Sequence, residues 1–486
     1  MLAIGFLSEV GKPTYRGERG DVDQRLAEQA PVGREAPTRV DVASLAFCLL
    51  GNFLLRAAAA AAGTLISLYL ASLHQSGMPV RARVVGLAAM LFYSAELIGS
   101  PVLGLLSDLK GRKPFMLLGP LFGGVAVQLI FLAPTIPLVL LARVFQGLST
   151  ASSVPSTLSY FSAATGDSEK ARGRVMSLFE VATIVGMAGG FATGGILWDA
   201  LRHSAFIAVI GIYAGSALLL WLVRDPHAAA GRARRVAERA ATAVASSRPG
   251  LQKIPAPSAL LERFSFVRSG SALRLIPAWI AVNAIVGLWF SHLDFQMGKA
   301  DDPTQLLVGG FSGRQIGLYT AGFALLFVVG ISLWALAFGR LRATQIMAVA
   351  LCGLFALVVF LAFLNHSQPA EHLRIRTLIG LVSASLLVMS GFTPAALVYL
   401  AGIAEEFPQS RGSMMGLYSV FLGVGQFLGS GIGGFFADWR GVDGMIVLTA
   451  ILGSISAICV AALIRQEGPL GSTVPIRAAR LPPGLH

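Results

Sequence analysis

Twelve apolar runs, each close to the length a helix needs to cross a bilayer, follow one another along this 486-residue chain. They lie at about 43–71, 84–106, 115–133, 137–160, 174–198, 204–223, 275–296, 315–338, 345–364, 376–400, 412–436 and 444–464. The chain is 55% hydrophobic and 13% charged, and that charge is about half the level of a soluble domain. So much apolar surface needs lipid as its solvent. In lipid every backbone N–H and C=O must be satisfied internally, which leaves helices or closed barrels. The runs lack the alternation of strands, so the expected fold is an all-α integral membrane protein with twelve transmembrane helices.

An excess of base over acid gives a net charge of +13. Its placement argues for topology and against nucleic acid. Most of the 38 basic residues fall in the two tails, the central loop and the loops on the same side as the tails. The opposite loops hold only Arg81, Arg83, Arg202, Lys299, Arg314, Arg374, Arg376 and Arg440. By the positive-inside rule both termini are expected in the cytoplasm, in a multi-pass protein of the plasma (cell inner) membrane. Anionic lipid headgroups are a secondary partner for this charge. The opening stretch MLAIGFLSEVGK is too short for a signal peptide and leads into a charged tail. Cys48, Cys352 and Cys459 lie in apolar runs without metal-ligand spacing and read as small packing residues. No metal or cofactor is expected.

The chain also repeats itself. Residues 151–199 reappear about 239 positions later, and roughly 14 of 45 positions match without a gap. The first copy has Pro155, Leu158, Tyr160, Arg172-Gly173, Gly186, Gly190, Gly194-Gly195 and Asp199. The second has Pro394, Leu397, Tyr399, Arg411-Gly412, Gly425, Gly429, Gly433-Gly434 and Asp438. At an offset near 231, Asn52 matches Asn283 and Gly86-Leu87 matches Gly317-Leu318. Two parallel six-helix halves follow, with a binding site expected between them. The expected domains are a tail (1–41), a first half (42–223), a basic linker (224–274), a second half (275–465) and a second tail (466–486).

Between the second and third runs lies Gly104-Leu-Leu106-Ser107-Asp108-Leu-Lys110-Gly111-Arg112-Lys113. Gly104 permits close helix approach, and Gly111 supplies the turn of a very short loop. Asp108 at the membrane edge is placed to cap a helix N-terminus, with the helix that starts near Arg411-Gly412 as its target. Arg112 and Lys113 have Asp167, Glu169, Glu405 and Glu406 as candidate partners. Contacts of this kind would hold one end of the two halves together in one state and break in another. The loop resembles the loop 2–3 signature of the major facilitator superfamily, departing from it at Leu109. A second resemblance lies in Leu140-x-x-Arg143-x-x-Gln146-Gly147, similar to the superfamily's R-x-x-Q-G pattern; it implies either proton coupling or a hydrogen-bond anchor for Arg143 and Gln146. Gly186-Met-Ala-Gly189-Gly190-Phe191-Ala-Thr-Gly194-Gly195 is similar to the antiporter motif, with Phe191 in the place of its proline. The resemblance implies a fold of twelve helices in two pseudo-symmetric halves.

Charges deep in the runs are costly and point to function. Arg56 and Glu96 each lie 12 residues from the same membrane edge, about 18 Å deep at roughly 1.5 Å per residue. Adjacent antiparallel helices would set them side by side, with Asn52 one turn from Arg56. These three are expected to line a cavity, Arg56 for an anionic group and Glu96 for a coupling proton; the alternative is a static salt bridge. Glu180 joins the gate or the proton path. The second half offers Asn283, with His292 and Asp294 near its outer end.

The expected function is secondary active transport of a small organic solute by alternating access, coupled to protons, with efflux favoured narrowly. An uptake carrier for an anionic metabolite is one alternative. A transporter-like membrane sensor or lipid-handling scaffold is another. No nucleotide-binding loop of the G-x-x-x-x-G-K-[ST] kind and no catalytic constellation occurs, so an enzyme is not expected. A monomer is expected.

Overall fold

The computed structural model describes residues 41–78, 80–132, 135–165, 168–224, 270–300, 302–406 and 411–467. Nearly all of the expected tails and of the basic linker lies outside the described residues. Within them the chain is helical: α1 Val42–Gln75, α2 Ala82–Lys110, α3 Arg112–Leu132, α4 Ile136–Ala164, α5 Glu169–Leu201, α6 Ala205–Leu222, α7 Gly270–Met297, α8 Gly313–Trp334, α9 Ala343–Asn365, α10 His372–Met389, α11 Phe392–Glu406 and α12 Arg411–Glu467. Among the described residues, each of the twelve apolar runs falls largely on helix. Two boundaries differ from the sequence reading, and both have a physical cause.

The tenth run is split into α10 and α11 at Ser390–Gly391. Pro394 has no N–H to donate to the Ser390 carbonyl four residues back, and it lies in the first turn of α11, where that donor is not needed. The carbonyls of Leu387 and Val388 at the end of α10 both accept from the Trp334 indole Nε1, each at 3.1 Å. The eleventh and twelfth runs lie in α12, which breaks where Arg440 and Gly441 leave helical geometry. Gly441 takes φ +57°. The second arm of α12 starts under the loop that follows α7: Asn365 donates to Asp443 Oδ1 at 2.8 Å, and its backbone carbonyl accepts from Leu306 N at 2.6 Å. In that loop, hydrogen bonds from the Thr304 hydroxyl and backbone N–H hold the Asp302 carboxyl below the usual carboxylate range.

The chain divides into two compact units. The first has residues up to Gly63, Ile98–Gly194, and α6. Its core is built of Leu45, Cys48, Met116, Phe161 and Phe179. The second has Thr64–Leu97, Gly195–Ala200, and the described residues from α7 onward. Its core is built around Trp279, Leu351, Leu354, Leu386 and Phe392. The division therefore cuts through α1, α2 and α5. The last turns of α1 and α5 and the first half of α2 pack with helices from the second half of the sequence.

The duplicated glycines account for two matching helix pairs. On α5, Gly186 lies against the Phe53 carbonyl of α1, where a Cβ would come within 2.6 Å, and Gly190 lies against the Ala57 carbonyl. On the first arm of α12, Gly425 lies against the Ile280 carbonyl of α7, at 2.7 Å by the same measure, and Gly429 against the Ala284 carbonyl. Only hydrogen at these positions lets two backbones approach so closely.

Candidate gate and buried polar sites

In the first unit, Asn52 is buried and donates from Nδ2 to Thr183 Oγ1 on α5 at 3.0 Å. Arg56, one turn along, has its Cβ close to Gly186. Arg143 on α4 donates from Nη1 to Gln146 Oε1 at 2.9 Å, one turn away on the same helix, and reaches toward Gly63 of α1. Asn52, Arg56, Arg143 and Gln146 thus belong to one unit. Glu96 belongs to the other. Glu180 is exposed on α5. Asn283 is buried in the second unit, and its Nδ2 is taken up by the Trp279 carbonyl of its own helix at 2.9 Å.

The loop between α2 and α3 is as short as its sequence requires. Gly111 takes φ +106°, and its N–H donates to the Ser107 carbonyl at 3.0 Å. A Cβ on Gly104 would lie 3.3 Å from Pro155 of α4. Asp108 and Arg112 share a partner that the sequence did not reveal. Ser159 donates to Asp108 Oδ1 at 3.0 Å and accepts from Arg112 Nε at 2.9 Å. The half-buried Lys113 follows on α3. Of the expected acidic partners, Asp167 lies outside the described residues, and the side chains of Glu169, Glu405, Glu406 and Arg411 lie outside what the structure describes. Ser159→Ala should loosen this loop by about 1 kcal/mol without unfolding the chain; a thermal melt of the detergent-solubilised variant measures the loss.

The second unit shows what the repeated aspartates do. Asp199 ends α5, and its two carboxylate oxygens accept from the backbone N–H groups of Gly313 and Arg314, each at 2.8 Å. These are the first amides of α8. Asp438 lies near the end of the first arm of α12, and accepts from Ala82 N at 2.5 Å and Arg83 N at 3.4 Å. These are the first amides of α2. The equivalent aspartate of each copy caps the equivalent helix of the other half, where unsatisfied N–H groups and the helix dipole favour a carboxylate. Arg83 adds an ion pair to Asp438 at 2.8 Å and lies over the Phe435 ring.

The repeated glycines make the caps reachable. Gly195 meets the backbone of α8 at Gly313 and Gly317, and Gly434 meets the backbone of α2 at Ala82 and Arg83. Gly86, the match of Gly317, rests against the Ser430 carbonyl of α12, with a would-be Cβ at 2.7 Å. Nearby, Gln75 at the end of α1 donates to the Gly298 carbonyl beyond α7 at 2.9 Å.

Two buried titratable groups of α7 sit at this same end. His292 is fully buried, its Nε2 is 2.9 Å from the Ser430 carbonyl, and its Nδ1 has no partner among the described residues. Asp294 receives hydrogen bonds from Thr64 Oγ1 of α1 at 2.8 Å and Thr320 Oγ1 of α8 at 2.6 Å. The sequence placed His292 and Asp294 near an outer end, but gave no sign of the two threonines. Threonines in apolar helices are too ordinary to single out.

Helices that pack through glycine backbones, carboxylate-capped helix ends and polar groups buried within long apolar helices define the chain as an integral membrane protein of two similar halves. The sequence matches the Major Facilitator Superfamily over residues 48–309 and 304–483. It is 24% identical over 370 residues to multidrug resistance protein 1 of Bacillus subtilis (strain 168), covering 75% of this chain and 82% of that protein. It is 22% identical over 378 residues to an uncharacterized MFS-type transporter of Methanocaldococcus jannaschii, covering 77% and 87%. Among solved structures, it resembles the nucleoside transporter NupG with a TM-score of 0.66 at 12% identity, over 88% of this chain and 100% of that one. It also resembles a bacterial homolog of the human lysosomal transporter Spinster, in an inward-facing and unoccupied conformation, with a TM-score of 0.61 at 14% identity, over 88% and 99%. The chain belongs to the major facilitator superfamily. It is an integral, multi-pass membrane protein of a transporter family whose substrates are small molecules.

Proposed function

We propose that this protein is a proton-coupled secondary transporter that exports a small organic solute by alternating access. The reading is of a single chain in the plasma membrane, with both termini and the basic linker on the cytoplasmic side and the capped end facing out. The observation that carries it is the matched pair of caps, Asp199 on α8 and Asp438 on α2. Each is a small set of polar contacts between segments from opposite halves of the sequence, and such contacts can form and break as one half rocks against the other. Export over import is supported by the likeness to a multidrug resistance protein. Within the membrane, Glu96 is the candidate coupling carboxylate, and Asn52, Arg56, Arg143, Gln146 and Asn283 are the candidate residues for solute or proton. Gly104, Asp108, Gly111, Arg112 and Lys113 form the gate of the opposite, cytoplasmic end, with Glu180 beside it.

One observation favours the second reading, import of an anionic metabolite. The buried Tyr213 of α6 lies within electrostatic reach of both Arg56 and Arg143, which gathers two guanidinium groups in one unit.

The test uses proteoliposomes loaded with ethidium as a cationic probe and benzoate as an anionic one. With Glu96→Gln, flux driven by a pH gradient is expected to fall by at least about tenfold, while exchange without a gradient persists. If wild type and variant respond alike to the gradient, Glu96 is not the coupling carboxylate. If benzoate moves and ethidium does not, and Arg56→Ala abolishes that movement, the anion reading replaces the first. Absence of flux for both probes, with thermal stabilisation by either, would leave a sensor.

A further inference from the structure

We infer that Asp294 is a proton-binding site that controls the clasped end of the molecule, separate from any coupling carboxylate at Glu96. The inference deepens the proton-coupled reading and rests on it. Three helices meet at this side chain: α7 carries Asp294, α1 carries Thr64 and α8 carries Thr320. Their relative exposures are 6%, 1% and 4%, so the cluster is closed to water. Both hydroxyls donate to the carboxylate, one to each oxygen. Two donors from opposite halves of the sequence therefore converge on a single acidic group. They do so just inside the capped end, since Thr320 lies two turns along α8 from Gly313, whose N–H is held by Asp199.

The chemistry of the partners separates this cluster from a structural ion pair. A buried carboxylate held for stability is expected to have a fixed cation beside it. No basic side chain lies within ion-pair distance of Asp294 among the described residues. The neighbours on every helix are turned elsewhere. His292 of α7 bonds to the Ser430 carbonyl, and His74 of α1 bonds to the Val80 carbonyl. Arg83 of α2 pairs with Asp438 of α12, Lys299 lies over the Phe295 ring, and Arg314 of α8 follows the Asp199 cap. A threonine hydroxyl is both donor and acceptor. When the carboxyl takes up a proton, one hydroxyl can turn and accept it, so neither state leaves a buried atom unpaired. An arginine partner could not do this. The ionised form draws both hydroxyls in and ties α1 and α8 to α7. The protonated form keeps one acceptor oxygen and loses the charge, and the tie weakens.

Gate opening can be read without knowing the solute. Ala71 of α1 is 1% exposed and packs beside Gly298. Ala71→Cys, in a chain carrying Cys48→Ala, Cys352→Ser and Cys459→Ala, reports opening through its rate of reaction with a membrane-impermeant maleimide in proteoliposomes. From about pH 7.5 to about pH 5.5 the rate should rise roughly tenfold. Asp294→Asn should remove that dependence, and Asp294→Glu should retain it with a moved midpoint. Thr64→Val and Thr320→Val should each move the midpoint by about one pH unit, and they decide the matter if Asp294→Asn does not fold. A labelling rate independent of pH in the unmodified site overturns the inference, as does full dependence in Asp294→Asn or an unmoved midpoint in both threonine variants. If Glu96→Gln flattens the curve and Asp294→Asn does not, the cavity carboxylate is the sensor and the inference fails, while the transport reading stands on the flux assay.

Discussion

Gly429→Leu is expected to leave no folded protein in the membrane. At this position the first arm of α12 lies directly on the Ala284 carbonyl of α7, and even a methyl group would overlap it. The neighbour is backbone, so no side chain can swing away. The helices must separate or shift, and every contact along α7 would be lost with them. Overpacking of an ordinary core costs about 1–3 kcal/mol, and a clash with backbone along a long helix pair should exceed that range. Gly190→Leu on α5 should fail in the same way, because Gly190 lies on the Ala57 carbonyl of α1. Gly189→Leu is the control. It is one residue away on the same helix and has nothing within 4 Å of a would-be Cβ. Fluorescence-detected size exclusion of the three variants should show a monodisperse peak for Gly189→Leu alone. A normal peak for Gly429→Leu would show that the two backbones can separate without unfolding.

Removing both caps should spring the clasped end. Asp199→Ala leaves the amides of Gly313 and Arg314 without their acceptor, and Asp438→Ala does the same to Ala82 and Arg83. Loss of a helix cap costs about 0.5–2 kcal/mol. At about 1.4 kcal/mol, each substitution shifts the closed–open balance roughly tenfold. The two caps share no partner, so their effects should add in free energy and the double variant should shift it about a hundredfold. The reaction rate of Ala71→Cys with the impermeant maleimide reads this directly. Rates in both single variants that match the parent chain with its caps intact would show that the caps do not hold the gate. Neither substitution should abolish folding, since the caps lie at helix ends while the cores of both units lie elsewhere.

Much of this architecture is legible in the sequence because lipid imposes it. A run of apolar residues with no internal alternation can satisfy its backbone only as a helix, so the placement of the runs follows almost directly. Where the reading missed, local chemistry prevailed over hydropathy. Pro394 sits inside a run that is apolar from end to end, and the break before it depends on its missing N–H and on the Trp334 indole of a different helix. Arg440 and Gly441 are only two residues between two long runs, so the sequence shows a boundary there but not its geometry.

The polar sites divide the same way. The depth of Arg56 and Glu96 can be counted along straight helices, and both lie inside membrane-spanning helices. Among the described residues, carboxylate caps across helices are made by Asp199 and Asp438, which the sequence presents only as matching positions in a repeat. Ser159, Thr64 and Thr320 could not be singled out, because a hydroxyl acquires meaning only from what the fold sets beside it.

A carboxylate that grips peptide N–H groups recognises the main chain and is indifferent to the side chain that the main chain carries. At Ala82 every residue except proline offers the same donor to Asp438. Saturation mutagenesis should therefore find a lopsided latch, with Asp438 intolerant of change and position 82 open to any small substituent. The two ends of such a contact have no reason to change in concert. Methods that find contacts from paired substitutions would pass over the very interaction that ties α2 to α12.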